Sequence, residues 1–187
     1  MNKNLQDTQT IDIDRQIKEL ESITLVPVGI VRSPIKKPML RANAEGLIQD
    51  DPEANLIDHH NKRLTTISEI WINPELDGIL DGIDGFSHII VLYWPHLVNK
   101  DRRSLRKVHP MGRKDIPLQG IYATCSPARP NPILITAVKL LECTKNMVRV
   151  QGLEAVDGSP VIDIKPYNSG YYRIENPVVP EWMENIH

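Results

Sequence analysis

At 187 residues the chain holds one domain with room for an appendage. Charged residues make up 25% and apolar residues 41%, an ordinary globular balance, and a net charge of −2 excludes attraction of the whole molecule to nucleic acid. The two cysteines, Cys125 and Cys143, form no C-x-x-C, which excludes a disulfide framework and a four-thiolate zinc site; with a polar N-terminus and no apolar run of membrane-spanning length, a reducing, cytoplasmic location is expected.

Residues 1–23 read as an N-terminal extension. Within it Ile13, Ile17 and Leu20 recur at helical spacing, with Asp12 and Asp14 at the end the helix dipole favours, so a short packing helix is expected. The first strand runs over 24–32 and stops at Arg32-Ser33-Pro34. Residues 35–63 are polar, with Pro38 and Pro52, and read as a long loop. His59-His60 lies in it, but adjacent histidines diverge and no carboxylate–histidine motif surrounds them, so no metal is expected.

A second strand is predicted over 66–73, then a helical turn opened by Pro74. Gly82 and Gly85 bracket the turn into an apolar strand over 86–94 whose two faces should both be covered. His88 at its entry reads as a hydrogen-bonded core residue. His96, past Pro95 at its exit, is the better candidate for an open site. Residues 100–115 then hold Lys100, Arg102, Arg103, Arg106, Lys107, Arg113 and Lys114 against Asp101 and Asp115, a local net charge of +5. Such a run is usually a solvated loop, yet on an acidic chain it is also a handle for phosphates.

The stretch 120–136, Gly-Ile-Tyr-Ala-Thr-Cys-Ser-Pro-Ala-Arg-Pro-Asn-Pro-Ile-Leu-Ile-Thr, starts with strand alternation and breaks at Pro127, Pro130 and Pro132. Each proline fixes its own φ and pushes its predecessor toward extended geometry, so Ser126, Arg129 and Asn131 should sit on a stiff loop. Strands over 133–141 and 147–153 follow, joined at Cys143-Thr144-Lys145-Asn146. Asp157-Gly158 is a turn signal. The next strand carries Val161, Ile162 and Ile164, with Asp163 and Lys165 on one face, where the two charges must pair or meet a cavity or water. Residues 171–187 read as a tail. About seven strands and one marginal helix make an all-β barrel or sandwich, and no Gly-x-Gly-x-x-Gly nucleotide turn is present.

Three stretches together carry a resemblance: Ala-Thr-Cys-Ser-Pro-Ala-Arg-Pro-Asn-Pro-Ile (123–133), Asp-Gly-Ser-Pro-Val-Ile-Asp-Ile-Lys-Pro-Tyr (157–167) and Gly-Ile-Asp-Gly-Phe-Ser-His (82–88). From about Val28 to Tyr167 the chain resembles the TrmO family, also called TsaA or YaeB. The resemblance implies a mainly β fold: a single small β-barrel over 24–170, with a short N-terminal helix and an irregular C-terminal tail. It implies an S-adenosylmethionine-dependent methyltransferase acting on the exocyclic amine of threonylcarbamoyladenosine in tRNA. It also implies a homodimer, and it puts Arg32 and Ser33 near the cofactor. The chain departs from the family at Cys125, Ala128 and Leu134, where relatives carry Arg, a bulkier residue and Gly. A protein or small-molecule acceptor, or a non-catalytic cofactor- or nucleotide-binding module, therefore stays open.

On that resemblance, methyl transfer asks the protein to hold the cofactor and align the acceptor. Arg129 is expected to take the cofactor's carboxylate, Asn131 and backbone groups of the Pro-rich loop to read the adenine edge, Asp157 or Asp163 to bind ribose hydroxyls or the amino group, and Lys165 to neutralise a carboxylate or phosphate of the acceptor; Ser126 is counted with the cofactor-binding residues. Asp163 and His96 are the candidate bases. Lys100, Arg102, Arg103, Arg106 and Lys107 are the expected contacts to tRNA phosphates.

Overall fold

A computed structural model describes residues 13, 15–38, 40–43, 46–49 and 62–184, with backbone only for 40–43 and 46–49. The expected features at 1–12, at His59-His60 and at 185–187 lie outside the described residues.

Six antiparallel strands close into a barrel: β1 (Gly29–Arg32), β4 (Ile67–Ile72), β5 (His88–Tyr93), β8 (Leu134–Cys143), β9 (Met147–Gln151) and β10 (Pro160–Pro166), in the spatial order β1-β10-β5-β8-β9-β4. Two ribbons lie outside it: β2 (Leu40–Asn43) with β3 (Gly46–Gln49), and β6 (Lys107–Val108) with β7 (Gln119–Gly120). The region predicted as one long loop thus contains the β2–β3 hairpin, which lies against Pro110–Gly112 and β6.

Period-two alternation places Ser68, Ile70 and Ile72 of β4 inward, with Ile67, Glu69 and Trp71 outward. Ile70, Ile89, Val91, Val148, Val150, Val161 and Leu153 are fully buried and make the core. Strict alternation fails in several strands: β5 buries Ile89, Ile90 and Val91 in succession, and the register of β8 shifts between Leu140 and Glu142. β10 carries a bulge between Val161 and Asp163, so Val161 and Ile164 both reach the core while Asp163 and Lys165 point outward. Gly29 is required where it stands, because a Cβ would come within 2.4 Å of the Trp71 carbonyl oxygen.

The registers orient every connection. Tyr93 opposes Leu134 and Val161, Arg32 opposes Glu69, and Ile67 opposes Gln151. One rim therefore gathers the three long connections, 33–66, 94–133 and 152–159. The other rim holds the connection 73–87, the Thr144–Asn146 hairpin and the exits to both termini. Pro74 opens the expected turn, a 3₁₀ turn over Pro74–Leu76 capped by Asn73, and Gly82 has φ +80° ahead of Ile83–Gly85.

Three local expectations are corrected. Residues 121–123 form a 3₁₀ turn rather than a strand, because the chain bends as soon as Gly120 leaves its pairing with Lys107. The N-terminal stripe is helical at 15–18, but Ile13, Ile17 and Leu20 are more than half exposed and cover none of the barrel. His88 is exposed instead of buried, its Nδ1 sharing a 2.9 Å hydrogen bond with Ser87 Oγ.

Candidate functional site

The loop-bearing rim brings together most of the polar residues singled out in the sequence. Its centre is the turn 156–159. Gly158, at φ +82°, lets the chain reverse, and its N–H donates to the Val31 carbonyl (2.9 Å) while Ser159 accepts from Val31 N–H (2.9 Å). This fastens the turn to the exit of β1. Asp157 Oδ1 then accepts from the Ser33 N–H (3.0 Å), and Oδ2 meets Lys36 Nζ at 2.9 Å. The Lys36 ammonium, with the Ser33 amide, holds the Asp157 carboxyl below the usual carboxylate range.

Beside this clamp opens a cleft of about 480 Å³, lined by Arg32, Ser33, Lys36, Ser68, Glu69 and Asp157 among others. That volume suits a small-molecule ligand. Ser68 is 1% exposed and its Oγ has no hydrogen-bond partner. A buried hydroxyl left unpaired is uncommon, and Ser68 turns its own inward among the core side chains of β4 rather than into the open cleft. Ser68 was missed in the sequence, where it reads as the polar member of an alternating strand.

On the other flank of the turn stands His96, exposed, with Nδ1 3.3 Å from the buried Ser159 Oγ. Its Nε2 approaches the turn at Gly158, 3.7 Å from where a Cβ would sit. Ser159 orients this imidazole, a role the sequence did not signal.

The Pro-rich loop closes the rim. Ile133 N–H donates to Asn131 C=O (2.8 Å) across Pro132, and Arg129 N–H to Pro127 C=O (3.0 Å) across Ala128. Pro132 and Ala128 are fully buried. Ser126 is buried as well, and its Oγ accepts from Ala128 N–H at 3.2 Å, so it holds the loop together and does not face solvent. Arg129 is likewise turned onto its own loop: Nη2 donates to the carbonyls of Ile121 (3.1 Å) and Thr124, and the guanidinium lies 5.9 Å from the Tyr122 ring centre. Its Nε is buried without a partner. Asn131 and Cys125 are exposed.

Beneath this loop lies a second small core of Val108, Ile121 and Ala128, packed by Leu105. It joins the Pro-rich loop to the basic segment. Along that segment Arg103 stacks 5.0 Å over the Trp94 ring, and Arg113 pairs with Asp115 at 2.6 Å. The side chains of Lys100, Arg102, Arg106 and Lys107 make no ion pair among the described residues.

Asp163 and Lys165 stand apart, on the outer wall. They pair with each other at 2.8 Å, both about half exposed, and Asp163 also accepts from Ile164 N–H (2.9 Å). The Asp163 carboxylate raises the Lys165 ammonium above the ordinary lysine range. The rim thus unites Asp157, His96, Ser126, Arg129 and Asn131 but not Asp163 and Lys165. Among the described residues no group of three or more His, Cys, Asp or Glu is placed to hold a metal, and no helix is long and apolar enough to cross a membrane.

Residues 56–171 match the family model for the tRNA-methyltransferase O N-terminal domain. A probable S-adenosyl-L-methionine-binding protein of Methanothermobacter thermautotrophicus is 43% identical over 145 residues, 78% of this chain and 90% of that protein. The mouse tRNA (adenine(37)-N6)-methyltransferase is 29% identical over 167 residues, 85% of this chain but only 38% of the mouse protein. The crystal structure of TrmO from Pseudomonas aeruginosa superposes with a TM-score of 0.60 at 21% identity, covering 86% of this chain and 62% of that one. The chain therefore spans well under the full length of the methyltransferase relatives. With more than half of its residues matched by the family model, and with the same barrel, the chain belongs to the TrmO family.

Proposed function

We propose that the protein is an S-adenosylmethionine-dependent methyltransferase whose cofactor sits at the loop-bearing rim. The observation that carries this is the clamp of Asp157 on Ser33 and Lys36, beside the cleft that Arg32 and Glu69 line with it. Close relatives are named for binding the same cofactor. The cleft fits a polar zwitterion: anionic Asp157 and Glu69 and cationic Arg32 and Lys36 line it together. When bound, the cofactor supplies an electrophilic methyl group on a sulfonium.

The chain's own residues bind, orient and take up the proton. Asp157 fixes the 33–36 segment that forms the cleft wall. Arg129 acts through the loop: by holding the Ile121 and Thr124 carbonyls it sets the position of Asn131, whose exposed amide is free to read the edge of a base. Of the two candidate bases, His96 is the better placed. Ser159 occupies Nδ1, which leaves Nε2 to take a proton from the acceptor amine, whereas Asp163 is engaged by Lys165 on the outer wall.

The acceptor that fits the family is tRNA, at the exocyclic amine of threonylcarbamoyladenosine, with Lys100, Arg102, Arg106 and Lys107 drawing in phosphates from the same rim. Arg103 steadies Trp94 and contributes less directly. A cytoplasmic homodimer completes the reading; the exposed Ile13, Ile17 and Leu20 stripe offers a surface for the second copy. Calorimetry with S-adenosylmethionine and S-adenosylhomocysteine, followed by radiolabelled methyl transfer to bulk tRNA, tests the proposal. Saturable binding with incorporation into tRNA is expected. Absence of binding at millimolar ligand refutes it, and binding without transfer to tRNA, protein or small-molecule extract assigns a non-catalytic cofactor-binding module instead.

A further inference from the structure

Three of the chain's five tyrosines fall within six residues, Tyr167, Tyr171 and Tyr172, and all three converge on one outer surface at the rim opposite the cleft. Tyr167 N–H donates to the His88 carbonyl (3.0 Å), which extends the β10–β5 ladder by one residue and sets the two rings side by side, 6.5 Å apart and edge to face. Asn168 then caps a helical turn, Ser169–Tyr172, by accepting from Gly170 N–H at 2.8 Å. That turn folds the chain back, so Tyr172 stacks on Tyr167 at 5.8 Å and 23° while Tyr171 meets Tyr172 edge-on at 6.4 Å.

A tail anchored only by packing would bury these rings. Instead Tyr171 is 84% exposed, with Tyr172 and Tyr167 near 40%. Their hydroxyls make no hydrogen bond among the described residues. Two lysines flank the rings. Lys139 lies opposite His88 in the β5–β8 register and makes no ion pair, and Lys165 shares the outer face of β10 with Tyr167. Asp163 is paired with Lys165 and Glu175 with Arg173, and the connection 73–87 on the same rim adds Asp77, Asp81 and Asp84. Exposed rings in series, flanked by lysine, are the composition that stacks unpaired nucleobases and tracks their backbone; an apolar protein partner would ask for aliphatic surface without the charges.

We propose that His88, Tyr167, Tyr172 and Tyr171 form a stacking platform for unpaired bases of an RNA substrate. The proposal rests on the tRNA reading above and adds a contact on the far side of the barrel. β5 spans the distance from His88 at the platform to Tyr93 at the cleft rim, about 17 Å at ~3.4 Å per residue. A stacked strand covers that in about five nucleotides at ~3.4 Å each. One RNA can therefore reach both places.

The test uses the full chain and fluorescence anisotropy with a short single-stranded oligoadenylate and an abasic oligonucleotide of the same length and charge. The parent should bind oligoadenylate the more tightly. Tyr171→Ala should weaken that binding roughly tenfold, Tyr171→Phe should retain it, and the abasic probe should respond to neither change. Unaltered calorimetry with S-adenosylmethionine would show the variant folded. Failure of the parent to bind, equal affinity for the two probes, or identical affinity of Tyr171→Ala and parent would each overturn the platform. If Tyr171-dependent binding is found while bulk tRNA takes up no methyl group, the platform stands and the tRNA acceptor falls. If tRNA is methylated and Tyr171→Ala changes nothing, the platform falls alone.

Discussion

Val108→Ala should loosen the Pro-rich loop while leaving the barrel intact. Val108 is fully buried, and with Ile121, Ala128 and Leu105 it forms a core separate from that of the barrel. The substitution removes two methyl groups at about 0.8 kcal/mol each, and the residual cavity raises the cost to about 2 kcal/mol. The small core ties Leu105 and Val108, on the basic segment, to Ile121 and Ala128, on the Pro-rich loop. The cost should therefore appear as local opening of 105–129. Hydrogen exchange reads this directly at two amides: Ile121 N–H, bonded to the Arg106 carbonyl at 2.9 Å, and Ala128 N–H, bonded to Ser126 Oγ at 3.2 Å. At about 2 kcal/mol both should exchange roughly thirtyfold faster, while the amides of β5 and β8 keep their protection. Uniform acceleration across barrel and loop would refute the separation of the two cores. Unchanged rates at Ile121 and Ala128 would refute the coupling itself.

Arg129→Lys should lower stability by about 1–2 kcal/mol, since an ammonium cannot reproduce the guanidinium fork on two carbonyls; thermal melts read this, and calorimetry should show weaker S-adenosylmethionine binding although Arg129 faces its own loop. Because the folded Asp157 carboxyl titrates below its ordinary value, the stability it contributes is complete above about pH 4 and is lost as the pH falls through the lower folded value. Asp157→Asn should flatten that acid dependence in melts between about pH 2 and 5, taken at ~0.5-unit steps below the ordinary carboxylate value. Replacing Lys100, Arg102 and Arg106 together by Ala should weaken tRNA binding across sequences and reduce the slope of log K against log salt by roughly 0.7–0.9 per lost phosphate contact, with cofactor binding intact; an unchanged slope would make the segment a merely solvated loop.

Strand positions were legible where period-two alternation was strong, as in Ser68-Glu69-Ile70-Trp71-Ile72, or where the apolar run was continuous, as in His88–Tyr93. The turns at Pro74, Gly82 and Gly158 were legible too, because proline and glycine announce their backbone requirements locally. The β10 bulge was not. Val161, Ile162 and Ile164 look the same in sequence whether or not an extra residue is inserted, and only pairing with β5 reveals that Asp163 and Lys165 lie on the outer wall, away from the loop-bearing rim. Burial of Ser126 and the turn of Arg129 onto its own carbonyls were hidden for a related reason. Their partners, Ala128, Ile121 and Thr124, are near in sequence but declare no contact until the loop's path is known. The Asp157–Ser33–Lys36 clamp joins residues more than 120 apart, and no local pattern reports a pairing of that range. The β2–β3 hairpin was passed over as a loop because its segments are short and polar.

Closure of the barrel has a consequence for how this protein meets others. With β1 bonded to both β4 and β10, each of the six strands has a neighbour on either side, although β1 meets β10 only at Gly29–Ile30 against Pro160–Val161. Strand addition from a second polypeptide is barred wherever both neighbours are paired, and so is the runaway edge-to-edge pairing that leads to aggregates. Among the described residues the two ribbons, β2–β3 and β6–β7, keep wholly open edges. Main-chain docking is thereby favoured at that end of the molecule, and contacts along the doubly paired wall have to be made by side chains.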